Sequence, residues 1–224
     1  MIEGYYKDHL AADRLKLVYE LAPPRVKQYL EAEISFVESR LRPTATVLEL
    51  GCGYGRILER LANKAKNVFG IDTSGSSLRV VAERSNFAFE VSVAQMDAVA
   101  LGFREKSFDV VVCIQNGISA FHVDPRDLIC ESIRVTKRGG LILFSSYAEK
   151  FWEDRLEWFR VQSENGLIGE IDWDATHNGV IVCKDGFRAS TFGPEDFTSL
   201  VSQFGVAYKI HEVDDSSVFC EIMV

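Results

Sequence analysis

A carboxylate followed by three glycines at alternate positions, Glu49-x-Gly51-x-Gly53-x-Gly55, is the stretch of this chain with the most explicit chemistry. Glycine has no Cβ, so such a loop lets backbone approach a ligand closely. Asp72 lies about 20 residues beyond Gly51, the spacing at which the end of the next strand returns a carboxylate to the same place. Its two acceptor oxygens match the vicinal hydroxyls of a ribose. Asp97, within Met96-Asp97-Ala98, and the polar pair Gln115-Asn116 follow later strand-like runs. Together they describe a site for a nucleotide-like ligand. The spacing disfavours a dinucleotide, because the third glycine of G-x-G-x-x-G would fall on Arg56. A nicotinamide-dependent oxidoreductase is discounted on that residue.

These residues need a scaffold that delivers several loops to one edge. From Val47 onward strand and helix patterns alternate, the mark of a parallel sheet. The expected strands are Val47–Leu50, 68–71, 87–93, 108–114 and 141–145, with helices from Arg56 to about Ala65, from Leu78 to Arg84 and after Asp124-Pro125. Ser74 is placed to cap the second helix, and Gly139-Gly140 to stop the third. In such sheets ligands bind at the carboxyl ends of the strands, where strand order reverses. Before this core, Val26, Leu30, Ile34, Val37 and Leu41 share one helical face, and Pro23-Pro24 separates that helix from an earlier one. After it, a helix presenting Trp152, Leu156 and Phe159, then a hairpin about Asp185-Gly186, are expected rather than a long structureless loop. A last helix from Gly193-Pro194 to Phe204 and two antiparallel strands, 206–212 and 218–224, close the chain. The expected organisation is one domain over 1–224: an N-terminal helical cap (1–42), a core (43–146), an insertion (147–192), and a closing helix with strands (193–224).

Composition narrows the function classes. With a formal charge of −8 over 224 residues and no basic cluster longer than Lys137-Arg138, nucleic acid is a poor partner. The five cysteines are scattered without a C-x-x-C pair, and His9, His177 and His211 share no ligand spacing, so no metal site is expected. No apolar run approaches the roughly 20 residues that span a bilayer. No signal core opens the chain, so a cytoplasmic protein without membrane association is expected. Oligomeric state is not legible.

On these residues the chain resembles the class I S-adenosylmethionine-dependent methyltransferases. Val47–Gly55 matches the family's first motif, Asp72 its ribose acid and Asp97 its adenine acid. Ser107-Phe108-Asp109-Val110-Val111 matches the fourth strand, and Arg138-Gly139-Gly140 the turn before the fifth. The resemblance implies an α/β, Rossmann-like doubly wound, mostly parallel seven-stranded sheet with an antiparallel last strand. It implies S-adenosylmethionine as cofactor, S-adenosylhomocysteine as product, and a small-molecule methyl acceptor. Gly51, Gly53 and Gly55, with Glu49, Cys52 and Tyr54 beside them, are expected near the methionine portion. Asp72 and Thr73 are expected at the ribose, Met96, Asp97 and Ala98 at adenine, and Gln115 and Asn116 toward the methionine end.

Methyl transfer from a sulfonium needs alignment and desolvation more than acid–base help, so a dedicated catalytic residue need not exist. His122, a few residues past the fourth strand, is the candidate base toward a hydroxyl or amine. The Asn116-Gly117-Ile118-Ser119 stretch lacks the tetrad used on base and amide nitrogens. The acceptor pocket is expected from Tyr5, Tyr6, Phe121, His122, Tyr147, Trp152 and Trp158, with the N-terminal helices and the insertion as lid. The expected function is methylation of an O or N of a small metabolite; the alternative is a non-catalytic cofactor-binding regulatory or assembly subunit.

Overall fold

The computed structural model describes residues 5, 9–83 and 91–224. Five strands run parallel: β1 (Thr46–Leu50), β2 (Asn67–Asp72), β3 (Val91–Gln95), β4 (Phe108–Cys113) and β5 (Thr136–Tyr147). A short hairpin, β6 (Ile181–Val182) with β7 (Arg188–Ala189), stands apart from that sheet. The sheet is completed by β8 (Ala207–Val213) and β9 (Ser217–Met223) in the order β3-β2-β1-β4-β5-β9-β8. Only β9 runs against its neighbours, pairing antiparallel with both β5 and β8. Strand order reverses between β1 and β4, so the crevice outside their carboxyl ends is the natural ligand position.

The helices, in chain order, are α1 (Asp13–Glu20), α2 (Pro24–Glu38), α3 (Leu58–Ala62), α4 (Gly75–Glu83), α5 (Gly117–Ala120), α6 (Pro125–Val135), α7 (Trp152–Glu164) and α8 (Pro194–Val201). Pro24 opens α2 at its first position, where a missing N–H costs nothing. The stripe Val26, Leu30, Ile34 and Val37 is buried, each side chain contributing roughly 1.5–3 kcal/mol. Arg25 donates to Asp214, and Arg40 to Glu221, both at 2.6 Å; these bonds pin the two ends of α2 to the β8–β9 hairpin. Ser74 caps α4 through its hydroxyl to Ser77 N, and Asp124 caps α6 through Arg126 N.

The apolar interior divides into three clusters. One lies on each face of the sheet. The third joins Tyr5, Leu10 and Val18 of the N-terminal segment to Trp158, Phe159 and Phe187 of the insertion. The two expected lids are therefore one packed cap.

Several expected boundaries shift for local reasons. The helix after β1 is five residues rather than ten, because Gly55 (φ +80°) turns the chain and helical geometry begins only at Leu58. Helix α6 ends at Val135, not at Gly139-Gly140. That pair lies in an irregular start of β5, where the register passes from Phe108↔Thr136 to Val110↔Leu141. Gly140 is required there, since a Cβ would lie 2.8 Å from Asp109 O. The buried face of α7 is Arg155, Trp158, Phe159 and Gln162; Trp152 and Leu156 are only partly buried at its margin. The hairpin loop has three residues, Lys184-Asp185-Gly186, because Cys183 N still bonds Phe187 O and Gly186 takes φ +94°. The expected third strand begins in part outside the described residues, and its described part is Val91–Gln95.

Candidate functional site

β1 ends in Glu49 and Leu50 and turns at once into the glycine loop, where Gly51 and Gly53 take φ of +72° and +52°. At Gly51 a Cβ would sit 2.5 Å from the Phe121 ring, and at Gly53 3.0 Å from Leu15 of α1. The loop is thus covered closely by α5 and the cap, and side chains there would fill that space. Asp72, at the end of β2, ties the loop down: its Oδ2 accepts from Gly53 N at 2.9 Å and its Oδ1 from Ser74 N at 2.7 Å. Each oxygen keeps capacity for a further donor. With only five residues, α3 contributes little dipole, so the loop backbone and the carboxylates define the site.

The crevice is a cavity of about 250 Å³ bounded by this loop, by Asp72 and Thr73, by Met96, Asp97 and Ala98, by Gln115, and by the cap. Of the expected residues, Glu49, Cys52, Tyr54, Tyr5, Phe121, His122, Tyr147 and Trp158 also reach its wall. Three lie off it. Gly55 faces α4, where a Cβ would meet Val81 at 2.9 Å. Asn116 is buried and structural: its Nδ2 donates to Ser190 O and its Oδ1 accepts from Ser146 Oγ, joining the insertion to β5. Trp152 sits at the margin of α7, 5.9 Å from the Arg155 guanidinium. Tyr6 lies outside the described residues.

Electrostatics concentrate at the end of β1. Glu49 is buried, its Oε2 has no hydrogen-bond partner among the described residues, and burial pushes its pKa up to about 8 against the opposing charge of Arg56. Burial likewise raises Asp72, while the N–H bonds from Ser74, Gly53 and Thr73 oppose it. Asp97 is exposed and its Oδ1 accepts from Val99 N at 3.0 Å. Burial raises the Cys52 thiol, so it is an inert small residue packed on Gly70. Burial lowers His122, which is therefore neutral near pH 7 and able to accept a proton. Its φ of +54° follows from the tight exit of α5.

Four residues of the site came from no motif. Arg56, Tyr19 and Gln162 line the cavity, and Glu33 supports it from behind. Arg56 Nη2 donates to Gln115 Oε1, and the guanidinium lies 4.3 Å over the Tyr19 ring. Glu33 Oε2 and Ser145 Oγ share the Gln115 N–H, at 2.7 and 2.8 Å, while Gln115 holds φ +58°. A carboxylate inside the apolar stripe of α2 was the signal that could have found Glu33.

Residues 48–144 match the family model described as a methyltransferase domain. Over 171 residues the chain is 29% identical to 2-methyl-6-phytyl-1,4-hydroquinone methyltransferase of Synechocystis sp., covering 68% of this chain and 51% of that protein. It is 38% identical over 103 residues to ubiquinone biosynthesis O-methyltransferase of Ralstonia nicotianae, covering 45% and 42%. The chain spans about half the length of the curated relatives it matches. Among solved structures, a possible histamine N-methyltransferase from Thermotoga maritima superposes with a TM-score of 0.66 at 18% identity, covering 100% of this chain and 99% of that one. The PH0226 protein of Pyrococcus horikoshii superposes with 0.65 at 19% identity, covering 99% and 96%. At these identities the likeness is one of fold.

Proposed function

We propose that the chain, whose residues 48–144 match the methyltransferase-domain model, is a class I S-adenosylmethionine-dependent methyltransferase that methylates an O or N of a small metabolite. When bound, the cofactor supplies an electrophilic methyl group on a sulfonium. The supporting observation is a buried, unpartnered Glu49 Oε2 beside a glycine loop that Asp72 holds with acceptor capacity to spare. An orphaned buried carboxylate oxygen is costly unless a donor arrives, and the cofactor's ammonium is such a donor.

Each residue then has a defined task. Glu49 receives the ammonium. The second lone pairs of Asp72 receive the ribose hydroxyls. Asp97 accepts from the adenine amino group, with Met96 and Ala98 against the ring. Phe121, Tyr147, Trp158 and Phe159 exclude water from the acceptor side of the cavity. His122 takes the acceptor's proton where that acceptor is a hydroxyl or ammonium. The relative from Synechocystis is named for a hydroquinone, a neutral aromatic diol, and an aromatic wall suits that class.

Calorimetry with S-adenosylhomocysteine, followed by its release from S-adenosylmethionine across a panel of phenols, hydroquinones and amines, tests the reading. Micromolar binding and turnover of a panel member are expected. Binding of a nicotinamide dinucleotide without response to S-adenosylhomocysteine would overturn it. Binding without any turnover would favour the non-catalytic alternative.

A further inference from the structure

The cavity wall carries three carboxylates, Glu49, Asp72 and Asp97, but among the described residues only one guanidinium or ammonium, Arg56. That cation does not neutralise its neighbours: no ion pair joins it to Glu49 or Asp72 among the described residues, although Glu49 feels its charge. The Arg56 guanidinium donates instead to Gln115 Oε1 and lies over the face of Tyr19. Beside it, Gln115 Nε2 is buried without a hydrogen-bond partner. A buried donor, Gln115 Nε2, and a buried acceptor, Glu49 Oε2, each without a partner among the described residues, therefore line the same cavity as the Arg56 guanidinium.

A guanidinium with an unpaired amide donor beside it, and an unpaired carboxyl oxygen on the same wall, suit the two ends of a zwitterion. A carboxylate has only acceptor oxygens and binds a guanidinium with directed, charge-assisted bonds. We infer that Arg56, with Gln115 Nε2, receives the carboxylate of the cofactor's amino-acid end, opposite the ammonium at Glu49. The assignment rests on the cofactor reading above and adds a residue that the glycine motif does not name. It also couples two parts of the fold. Tyr19 belongs to α1, so the guanidinium that meets the carboxylate is the one on which the cap helix rests.

The test compares S-adenosylhomocysteine with its decarboxylated analogue, which keeps the adenosine, the thioether and the ammonium. Calorimetry on the wild-type chain is expected to show S-adenosylhomocysteine binding about 30-fold more tightly. Arg56→Met is expected to remove that preference while changing the analogue's affinity by no more than about twofold. Arg56→Lys is expected to keep part of the preference, as a point charge lacking the planar fork. Circular dichroism checks the fold, and if Arg56→Met fails to fold, Arg56→Lys and Gln115→Leu supply the same comparison. Equal losses for both ligands, or no wild-type preference, would overturn the inference and leave the cofactor reading standing. Failure of the wild-type chain to bind either ligand would sink both.

Discussion

Glu33 Oε2 accepts the backbone N–H of Gln115 at 2.7 Å, so a fully buried carboxyl of the N-terminal helix fixes the residue at the ligand end of β4. Burial raises Glu33 from 4.5 to about 7. The folded state then holds a proton that the unfolded chain releases over that interval. This contribution to stability is complete below pH 4.5 and lost as pH rises through about 7. Its size is about 3 kcal/mol. Glu33→Gln is expected to flatten the fall in urea midpoint between pH 5 and pH 8, with Glu49 still contributing to the fall toward pH 8. An unchanged pH profile would rule out the buried proton.

In the proposed site, Glu49 would link the same chemistry to ligand binding. With its carboxyl raised to about 8, the unliganded site is largely protonated at neutral pH, whereas an ammonium partner requires the anion. Binding of S-adenosylhomocysteine should therefore release a proton and tighten as pH rises toward 8. Calorimetry in buffers of different ionisation enthalpy reads the proton directly. A binding enthalpy independent of buffer would contradict it.

Asp72 restrains the loop at Gly53 and is the proposed acceptor for the ribose hydroxyls. Asp72→Ala is expected to weaken S-adenosylhomocysteine binding by about 100-fold, from two lost charge-assisted bonds. It should also lower stability by about 1–2 kcal/mol through the freed Gly53 and Ser74 amides. The first is measured by calorimetry and the second by urea unfolding. Loss of stability with intact affinity would make Asp72 a structural cap alone.

At Gly51 the obstacle to a side chain is double. The backbone is left-handed, and a Cβ would strike the Phe121 ring. Gly51→Ala is expected to destabilise by at least about 1 kcal/mol and to weaken S-adenosylhomocysteine binding. Adding Phe121→Ala relieves only the steric part, so unfolding measurements on the double variant should recover part of the loss.

Legibility followed the range of the interactions. The glycine loop, Asp72, the alternation of strand and helix and the antiparallel close rest on local signals, namely residue types at fixed spacing and turns too short for a crossover; the order of the strands in the sheet does not. Arg56 was read only as the residue that breaks a dinucleotide loop. Its part in the cavity depends on Tyr19 and Gln115, 37 residues before it and 59 after it. Asn116 misled because its motif position is right, while its amide is taken by Ser190, 74 residues away. Helix α7 presents Arg155 inward because Gly179 O and Ala189 O of the insertion accept its guanidinium; an aromatic periodicity could not disclose that.

The shared cap core carries a consequence for how the molecule is made. Tyr5 donates to Asp185 across 180 positions, and Trp158 Nε1 to Val18 O across 140. Contacts of such separation close late, because the loop entropy must be met before they form. During synthesis the glycine loop and its five parallel strands emerge before the hairpin that the N-terminal segment must meet. A nascent chain can thus complete its cofactor floor while its roof is still unwritten. The same asymmetry should persist in the finished protein as local unfolding, with amides of α1 and the β6–β7 hairpin exchanging hydrogen ahead of those of β1, β4 and β5.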